Sequence, residues 1–345
     1  MKILLHIDPY NCESDMVLNR CKVYSQLYKE FSGNDFEVFL YASSKIDFSK
    51  FDIPSNHIIS ADWMNFDVCS YDGLAYSNNL PKLMVENAIE KYREINFTPD
   101  LIITNTSSSL IRKVWMSSLI LHYELGFFNR EPFPVFHQFD PLGYYGNSIL
   151  SKYPVIGGEA SRLEIDYLSM MKNKILSSIQ LKNTDVGCVD AVYVPLPSTS
   201  WAVNVEINYP SRVDYLVDYA KRHPNKLILT NEKPQSRLLD FEKDALLDVK
   251  NIELIENQNH LGDGSQLAMY CKHTHTFSPS LGLQTLFWGN RLTAPVQSSL
   301  SGWANLPNSS TKFSAYINRF HLSELSKIIN MIPYWNNCNP YTRSF

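Results

Sequence analysis

Thr274-His275-Thr276-Phe277-Ser278-Pro279-Ser280-Leu281-Gly282-Leu283-Gln284-Thr285-Leu286-Phe287-Trp288-Gly289-Asn290 decides how this chain is read. It opens as a short strand of β-branched and aromatic residues, turns at a serine, and continues as an amphipathic helix closed by glycine. Ser278 stands where an N-cap belongs, and Pro279 at the first helical position, where a missing N–H costs nothing. Leu283, Leu286 and Phe287 fall on one helical face and Gly289 ends the run. A strand that feeds a helix start through small residues leaves backbone N–H groups aimed at one point. The helix dipole makes that point a site for phosphate or carboxylate. An ordinary capped βα unit has the same signature, so the rest of the chain must separate the two readings.

Working outward, the pattern repeats. Ile3 to Ile7 reads as a buried strand, Met16 to Phe31 as a helix stopped at Gly33, and Phe36 to Tyr41 as a second strand. Leu80 to Asn96 is helical in spacing, Pro99 to Asn105 a strand with a polar end, Ser107 to Leu121 a helix, and Pro134 to Phe139 a strand. A second series begins after Cys188. Strands are expected at Asp190–Leu196, Asn225–Asn231, Ile252–Glu256 and Arg291–Ala294, with helices at Ser211–His223, Ser236–Asp248 and Ser265–Cys271. Strands alternating with helices imply parallel pairing. The expected fold class is therefore α/β, with two Rossmann-like domains facing across a cleft. A domain of residues 1–185 would be followed by one of residues 186–320, with a terminal helix and tail at 321–345. A helix over Ala160–Leu181 would connect them. Ligands in such folds bind beyond the carboxyl ends of the strands. That collects Asp8-Pro9, Asn105-Thr106, Phe139-Asp140, Pro197–Ser200, Asn231–Lys233 and His275–Ser280.

Composition removes several alternatives. At 345 residues, 44% hydrophobic and 19% charged, the chain is an ordinary folded protein long enough for two cores. A net charge of −4 argues against a general nucleic-acid binder. The cysteines are scattered without Cys-x-x-Cys, which points to reduced thiols rather than a disulfide framework or zinc site. The apolar part of the N-terminus is too short for a signal peptide, and no window is long enough to span a bilayer. The expected location is cytoplasmic, with peripheral association at the inner face of the membrane left open. No Gly-x-Gly-x-x-Gly follows the first strand, and there is no Walker motif and no Gly-x-Ser-x-Gly elbow. A nicotinamide or flavin cofactor is not expected.

Three segments carry a resemblance. They are Tyr193–Ser200 running through Tyr209-Pro210-Ser211, Ile228-Leu229-Thr230-Asn231-Glu232-Lys233-Pro234, and Phe277–Ser280 running through Leu286–Asn290. In order and spacing they resemble the nucleotide-binding half of GT-B glycosyltransferases, and more narrowly the capsule-polysaccharide and Kdo transferases that use CMP-linked ulosonic acids. The first 190 residues match only in strand-helix grammar and in Pro99–Ile103. The resemblance implies a metal-independent glycosyltransferase that takes a sugar from a nucleotide-sugar donor, CMP-linked by this likeness. The acceptor would be a glycan or glycolipid in bacterial surface-polysaccharide synthesis. The chain departs from the family at Pro197-Ser198-Thr199-Ser200-Trp201, where family members have an acidic residue in the turn and this chain has none. That gap motivates a second reading, a catalytically silent GT-B protein that binds a glycan or partner transferase; a third, on the same fold, is a sugar-nucleotide epimerase.

Transfer from such a donor needs a charge sink for the leaving phosphate and a base near the anomeric carbon. Ser278, Ser280 and the amides near Gly282 are the candidates for the phosphate, with Lys233, Asn231 and His275 as further donor contacts. Asp140, in a glycine- and tyrosine-rich loop at a strand end, and Glu159, after Gly157-Gly158, are the candidate catalytic carboxylates. Each has a plain alternative, Asp140 as a turn residue and Glu159 as a first-turn residue favoured by the dipole. His273 and His275 share a strand face, but no third ligand is evident and no Asp-x-Asp is present. No metal site is expected.

Overall fold

The computed structural model describes residues 1–7, 15–44, 46–61, 79–129, 133–178, 190–197, 209, 211–232, 237–255, 264–304, 306 and 309–339. The chain runs β1 (Lys2–His6), α1 (Asp15–Ser32), β2 (Glu37–Ala42), β3 (Ile58–Ser60), α2 (Lys82–Arg93), β4 (Leu101–Thr104), α3 (Ile111–Val114), β5 (Leu119–Leu125), β6 (His137–Asp140), α4 (Ile149–Ile156) and α5 (Arg162–Ser178). It continues with β7 (Val192–Tyr193), α6 (Arg212–Arg222), β8 (Ile228–Asn231), α7 (Asp240–Leu247), β9 (Ile252–Ile255), α8 (Gly264–Tyr270), β10 (His273–His275), α9 (Pro279–Trp288), β11 (Arg291–Thr293), α10 (Ser301–Ala304), α11 (Ser309–Phe320), β12 (His321–Leu322) and α12 (Ile328–Cys338).

Among the described residues the strands form two sheets. One has seven strands in the order β3-β2-β1-β4-β5-β6-β12, the other five in the order β9-β8-β7-β10-β11. Each begins with the Rossmann sequence 3-2-1-4-5, and the pairings β1·β2, β1·β4, β4·β5, β7·β8 and β7·β10 are all parallel. The expected α/β class with two Rossmann-like sheets is borne out. Parallel strands covered on both faces read as unbroken apolar runs, and Ile3, Leu4 and Leu5 of β1 are fully buried.

The chain divides into two compact units. One comprises Met1–Glu124, His137–Ile149 and Leu322–Phe345, the other Leu125–Phe136 and Leu150–His321. The expected break at residue 185/186 lies outside the described residues. The 322–345 segment, read in the sequence as a terminal appendage, belongs to the unit that holds the first sheet. There Trp335 of α12 is fully buried, with its ring 5.3 Å from that of Phe139 on β6.

One stretch departs from its sequence reading. The helix expected over Ser107–Leu121 is a single turn, α3, and Leu119–Leu125 is instead strand β5, in register with β4 from Leu101↔Leu119 to Thr104↔His122. An apolar run of this length suits either structure, and its pairing with β4 settles the matter. No helix among the described residues is long and apolar enough to cross a membrane.

Candidate functional site

In a sheet of order 3-2-1-4-5 the chain reverses direction of growth between its first and fourth strands, and the carboxyl ends of those two strands open a crevice. In the five-stranded sheet these strands are β7 and β10. Strand β10 leads through Thr276, Phe277 and Ser278 into α9, so the segment singled out from the sequence stands at the reversal point.

Helix α9 starts as expected at Pro279 and ends at Gly289, whose φ of 80° is the left-handed conformation glycine accepts without strain. Ser278 occupies the N-cap position with extended backbone (φ −69°, ψ 113°), yet its side chain makes no capping hydrogen bond to the helix. Its hydroxyl instead lies 3.4 Å from that of Ser280, and its own N–H donates to Thr276 Oγ1 at 2.9 Å. The helix start thus lacks the side-chain cap that Ser278 was expected to supply, and two hydroxyls are grouped at its positive end. Gly282 serves a different purpose from the one its sequence position suggests. Its N–H donates to Ser278 O at 3.0 Å, so that amide is spent inside the helix. A β-carbon at Gly282 would stand 2.4 Å from Leu300 Cδ1, so the glycine permits close packing rather than access to a ligand.

On the neighbouring strands, Asn231 ends β8 and is buried. Tyr193, the last residue of β7, donates its hydroxyl to Asn231 Oδ1 at 2.8 Å. The same hydroxyl would sit 2.6 Å from a β-carbon on Gly264, the first residue of α8. Tyr193 was not singled out as a site residue from the sequence. The signal was present, because a tyrosine inside a buried strand must find a partner for its hydroxyl. Lys233 lies outside the described residues.

His275 does not present a charge. Its ring stacks on Tyr219 with centroids 4.1 Å apart and its Nδ1 is 2.9 Å from Thr293 Oγ1, which also meets His273 Nε2 at 2.8 Å. Burial, reinforced by the positive charges of His273, Arg222 and His223, holds His275 down at about 3. The imidazole is neutral, and both histidines of the strand converge on a threonine hydroxyl.

The two carboxylates contrast sharply. Asp140 ends β6 and is 1% exposed. Its Oδ1 accepts from Leu142 N at 2.8 Å and Gly143 N at 3.1 Å, and its Oδ2 from Ile149 N at 2.8 Å and from the Ser148 hydroxyl. Burial pushes its carboxyl up to about 6, against the pull of those hydrogen bonds toward the charged form. With both oxygens engaged, Asp140 ties the Leu142–Ile149 loop into the sheet edge. The loop in turn lays Tyr144 over the ends of β4 and β5, where its hydroxyl donates to Thr104 O at 3.1 Å and Tyr123 O at 2.9 Å. Glu159 is exposed, accepts a hydrogen bond from the Thr311 hydroxyl, and is fixed through its carbonyl, which Arg319 Nη2 reaches at 3.0 Å. Arg319 is itself held by Glu164 at 2.8 Å, so the turn after Gly158 is firmly anchored.

The carboxyl edge of the first sheet carries a polar row that the sequence reading did not isolate. Tyr41, His6, Thr104 and His122 are register partners across β2, β1, β4 and β5. His6 bridges Thr104 Oγ1 at 3.1 Å and Tyr92 Oη at 2.9 Å, while His122 Nδ1 lies 3.0 Å from Asp140 O. Burial holds His6 near 3 and His122 near 4, both neutral.

No protein-family model matches the chain. No curated protein matches it. Solved structures do. The β-Kdo 2,4-transferase of Thermosulfurimonas dismutans KpsC is similar at 12% identity and a TM-score of 0.49, covering 92% of this chain and 90% of that one. The β-Kdo 2,7-transferase of the same KpsC aligns at 15% identity and a TM-score of 0.42 over 67% of this chain and 76% of that one. A UDP-GlcNAc 2-epimerase from Methanocaldococcus jannaschii, solved with UDP-GlcNAc and UDP, aligns at 12% identity and a TM-score of 0.37 over 98% and 93%.

Proposed function

We propose that this protein is a metal-independent glycosyltransferase of the GT-B type. It takes a sugar from a nucleotide-activated donor, CMP-linked by the sequence resemblance, and delivers it to a glycan or glycolipid in bacterial surface-polysaccharide synthesis. The observation that carries the reading is the start of α9. It stands at the reversal point of the five-stranded sheet with no cap from Ser278 and with the Ser278 and Ser280 hydroxyls beside it. An uncapped helix start of this kind grips the phosphate of a leaving nucleotide and stabilises its charge as the glycosidic bond breaks. Asn231, held by Tyr193, contributes an amide next to that phosphate, and Lys233 a positive charge.

Of the two carboxylates, Glu159 is the base candidate, since its side chain is exposed to solvent. Asp140 acts by positioning the loop that carries Tyr144. His275 is a structural support for the strand rather than a phosphate ligand, because a neutral, stacked imidazole offers little to an anion.

The test is calorimetric titration of the protein with CMP, UDP and GDP, followed by product analysis with the matching sugar nucleotides in the presence and absence of a glycan acceptor. Preferential binding of CMP and acceptor-dependent release of it support the proposal. A sugar nucleotide altered at a ring carbon without any acceptor would make the protein an epimerase. Binding of none of the three nucleotides overturns both.

A further inference from the structure

Helix α11 grips one exposed residue of its own unit at two points. Thr311 and Arg319 lie on it two four-residue steps apart, a spacing that keeps to one side of a helix. The Thr311 hydroxyl donates to Glu159 Oε2, and Arg319 Nη2 donates to the Glu159 carbonyl at 3.0 Å. Arg319 also reaches Tyr153 Oη at 2.8 Å through Nη1, and Glu164 through Nε at 2.8 Å and Nη2 at 3.1 Å. No described residue donates to the second carboxylate oxygen of Glu159, Oε1.

The turn on either side of Glu159 is fixed as well. A β-carbon on Gly157 would stand 2.4 Å from the Tyr153 ring, so the chain can pass there only as glycine, and the Gly157 N–H donates to Tyr153 O at 2.7 Å. Beyond Glu159, the Ser161 N–H donates to Glu164 Oε2 at 2.7 Å and the Glu164 N–H to Ser161 Oγ at 3.3 Å, which ties down the start of α5. Holding a solvent-exposed glutamate forfeits rotamer freedom and returns little stability, because water competes for its carboxylate. Such a hold suits proton transfer, where a small misplacement of the accepting oxygen costs much of the rate.

We infer that Thr311 and Arg319 are positioning residues for glycosyl transfer, Thr311 occupying Oε2 so that Oε1 is the oxygen that takes the acceptor's proton. The inference rests on the reading of Glu159 as the base. In that step the acceptor O–H bond breaks and its proton passes to Glu159 Oε1. The oxygen's electron pair forms the new bond to the anomeric carbon. The bond from that carbon to the phosphate oxygen breaks, and its electron pair leaves with the nucleotide. Arg319 sets where the glutamate stands and Thr311 how its carboxylate is turned, and neither touches the sugar.

The experiment is steady-state transfer kinetics of the full chain and its variants, with CMP-, UDP- and GDP-linked sugars as donors and a glycan acceptor, beside thermal melts. Glu159→Gln is expected to lower kcat about a hundredfold or more. Thr311→Val, which keeps the shape and removes the hydroxyl, is expected to lower kcat about tenfold, with the donor KM within about twofold of the parent and the melting temperature unchanged. Thr311→Ser restores the hydroxyl and should return kcat to within about twofold of the parent. Arg319→Lys keeps the charge beside Glu164 but loses the fork that spans Tyr153 and Glu159, and should also lower kcat about tenfold. Parental turnover by Thr311→Val beside an inactive Glu159→Gln overturns the inference and leaves the base assignment standing. So does an equal loss in Thr311→Val and Thr311→Ser, or a loss carried by the donor KM alone. Parental turnover by Glu159→Gln, or no transfer from any of the donors, overturns the inference together with the reading beneath it.

Discussion

Tyr193 Oη lies 2.8 Å from Asn231 Oδ1 and 2.6 Å from the position a β-carbon would take on Gly264. One buried hydroxyl therefore both orients the asparagine at the end of β8 and sets the residue at the start of α8. Gly264→Ala is expected to destabilise the protein by about 1–3 kcal/mol, because the tyrosine ring is fully buried and has nowhere to move. Tyr193→Phe alone leaves Asn231 Oδ1 without that donor and is expected to cost about 1–3 kcal/mol and to weaken CMP binding about tenfold. In the double variant the clashing atom is gone, so the two losses should fall well short of additive. Chemical denaturation of the four proteins in the cycle checks it; strict additivity would contradict the proposed contact.

Ser280→Asp separates anion binding from simple helix capping. A carboxylate in the first turn of α9 should raise stability by about 0.3–1 kcal/mol through the dipole. The same carboxylate repels a phosphate, and nucleotide affinity should fall at least about tenfold. Thermal melts with and without CMP read both effects. A stabilised variant with undiminished nucleotide binding would place the phosphate elsewhere.

Gly282→Ala should destabilise by about 1–3 kcal/mol through contact with Leu300, which is itself fully buried. Leu300→Ala opens the space, so the glycine substitution should be nearly silent in that background. Urea denaturation of the single and double variants measures the coupling.

The buried histidines give a pH signature. Burial holds His6 and His122 near 3 and 4, below the ordinary imidazole value of 6.5, so the unfolded chain binds the proton first on acidification. Their contribution to stability is complete above about 6.5 and is lost as pH falls from there toward about 4 for His122 and about 3 for His6. Proton NMR of the imidazole resonances should show neither ring titrating between pH 8 and about 5.5. A midpoint near 6.5 for His6 would contradict its burial between Thr104 and Tyr92.

Asp140 behaves oppositely. Its folded carboxyl, pushed by burial to about 6, lies above the ordinary aspartate value of 3.8, so the folded state holds the proton more tightly and stability declines as pH rises from about 4 to about 6. Asp140→Asn removes that slope. At neutral pH the variant also places an amide –NH2 or a single carbonyl where four donors converge, at a cost of about 1–3 kcal/mol. Stability measured against pH for both proteins, taken as a difference, isolates the group.

Much of the fold was legible because its signals are local. Ser278, Pro279 and Gly289 mark α9 within a dozen residues, and the alternation of strand and helix announced parallel pairing before any partner was known. What stayed hidden depended on distant residues. Leu119–Leu125 reads as helix or strand equally well until β4 is beside it. Gly282 looks like a ligand cradle until Leu300 is seen against it. The missing Ser278 cap and the link from Tyr193 to Asn231 concern where side chains turn, which a linear pattern does not encode. Asp140 is intermediate: the Asx-Pro turn was readable, but the convergence of Ser148 and Ile149 on its second oxygen was not.

The return of residues 322–345 to the first sheet has a consequence for biosynthesis. A ribosome must emit everything up to His321 before the partner of β6 and the indole that covers Phe139 exist at all. At ordinary elongation rates that interval is on the order of ten seconds or more, during which the earlier half waits with an open flank. A gene cut after the second sheet would therefore leave β6 unpaired on its outer side and Phe139 without its indole cover.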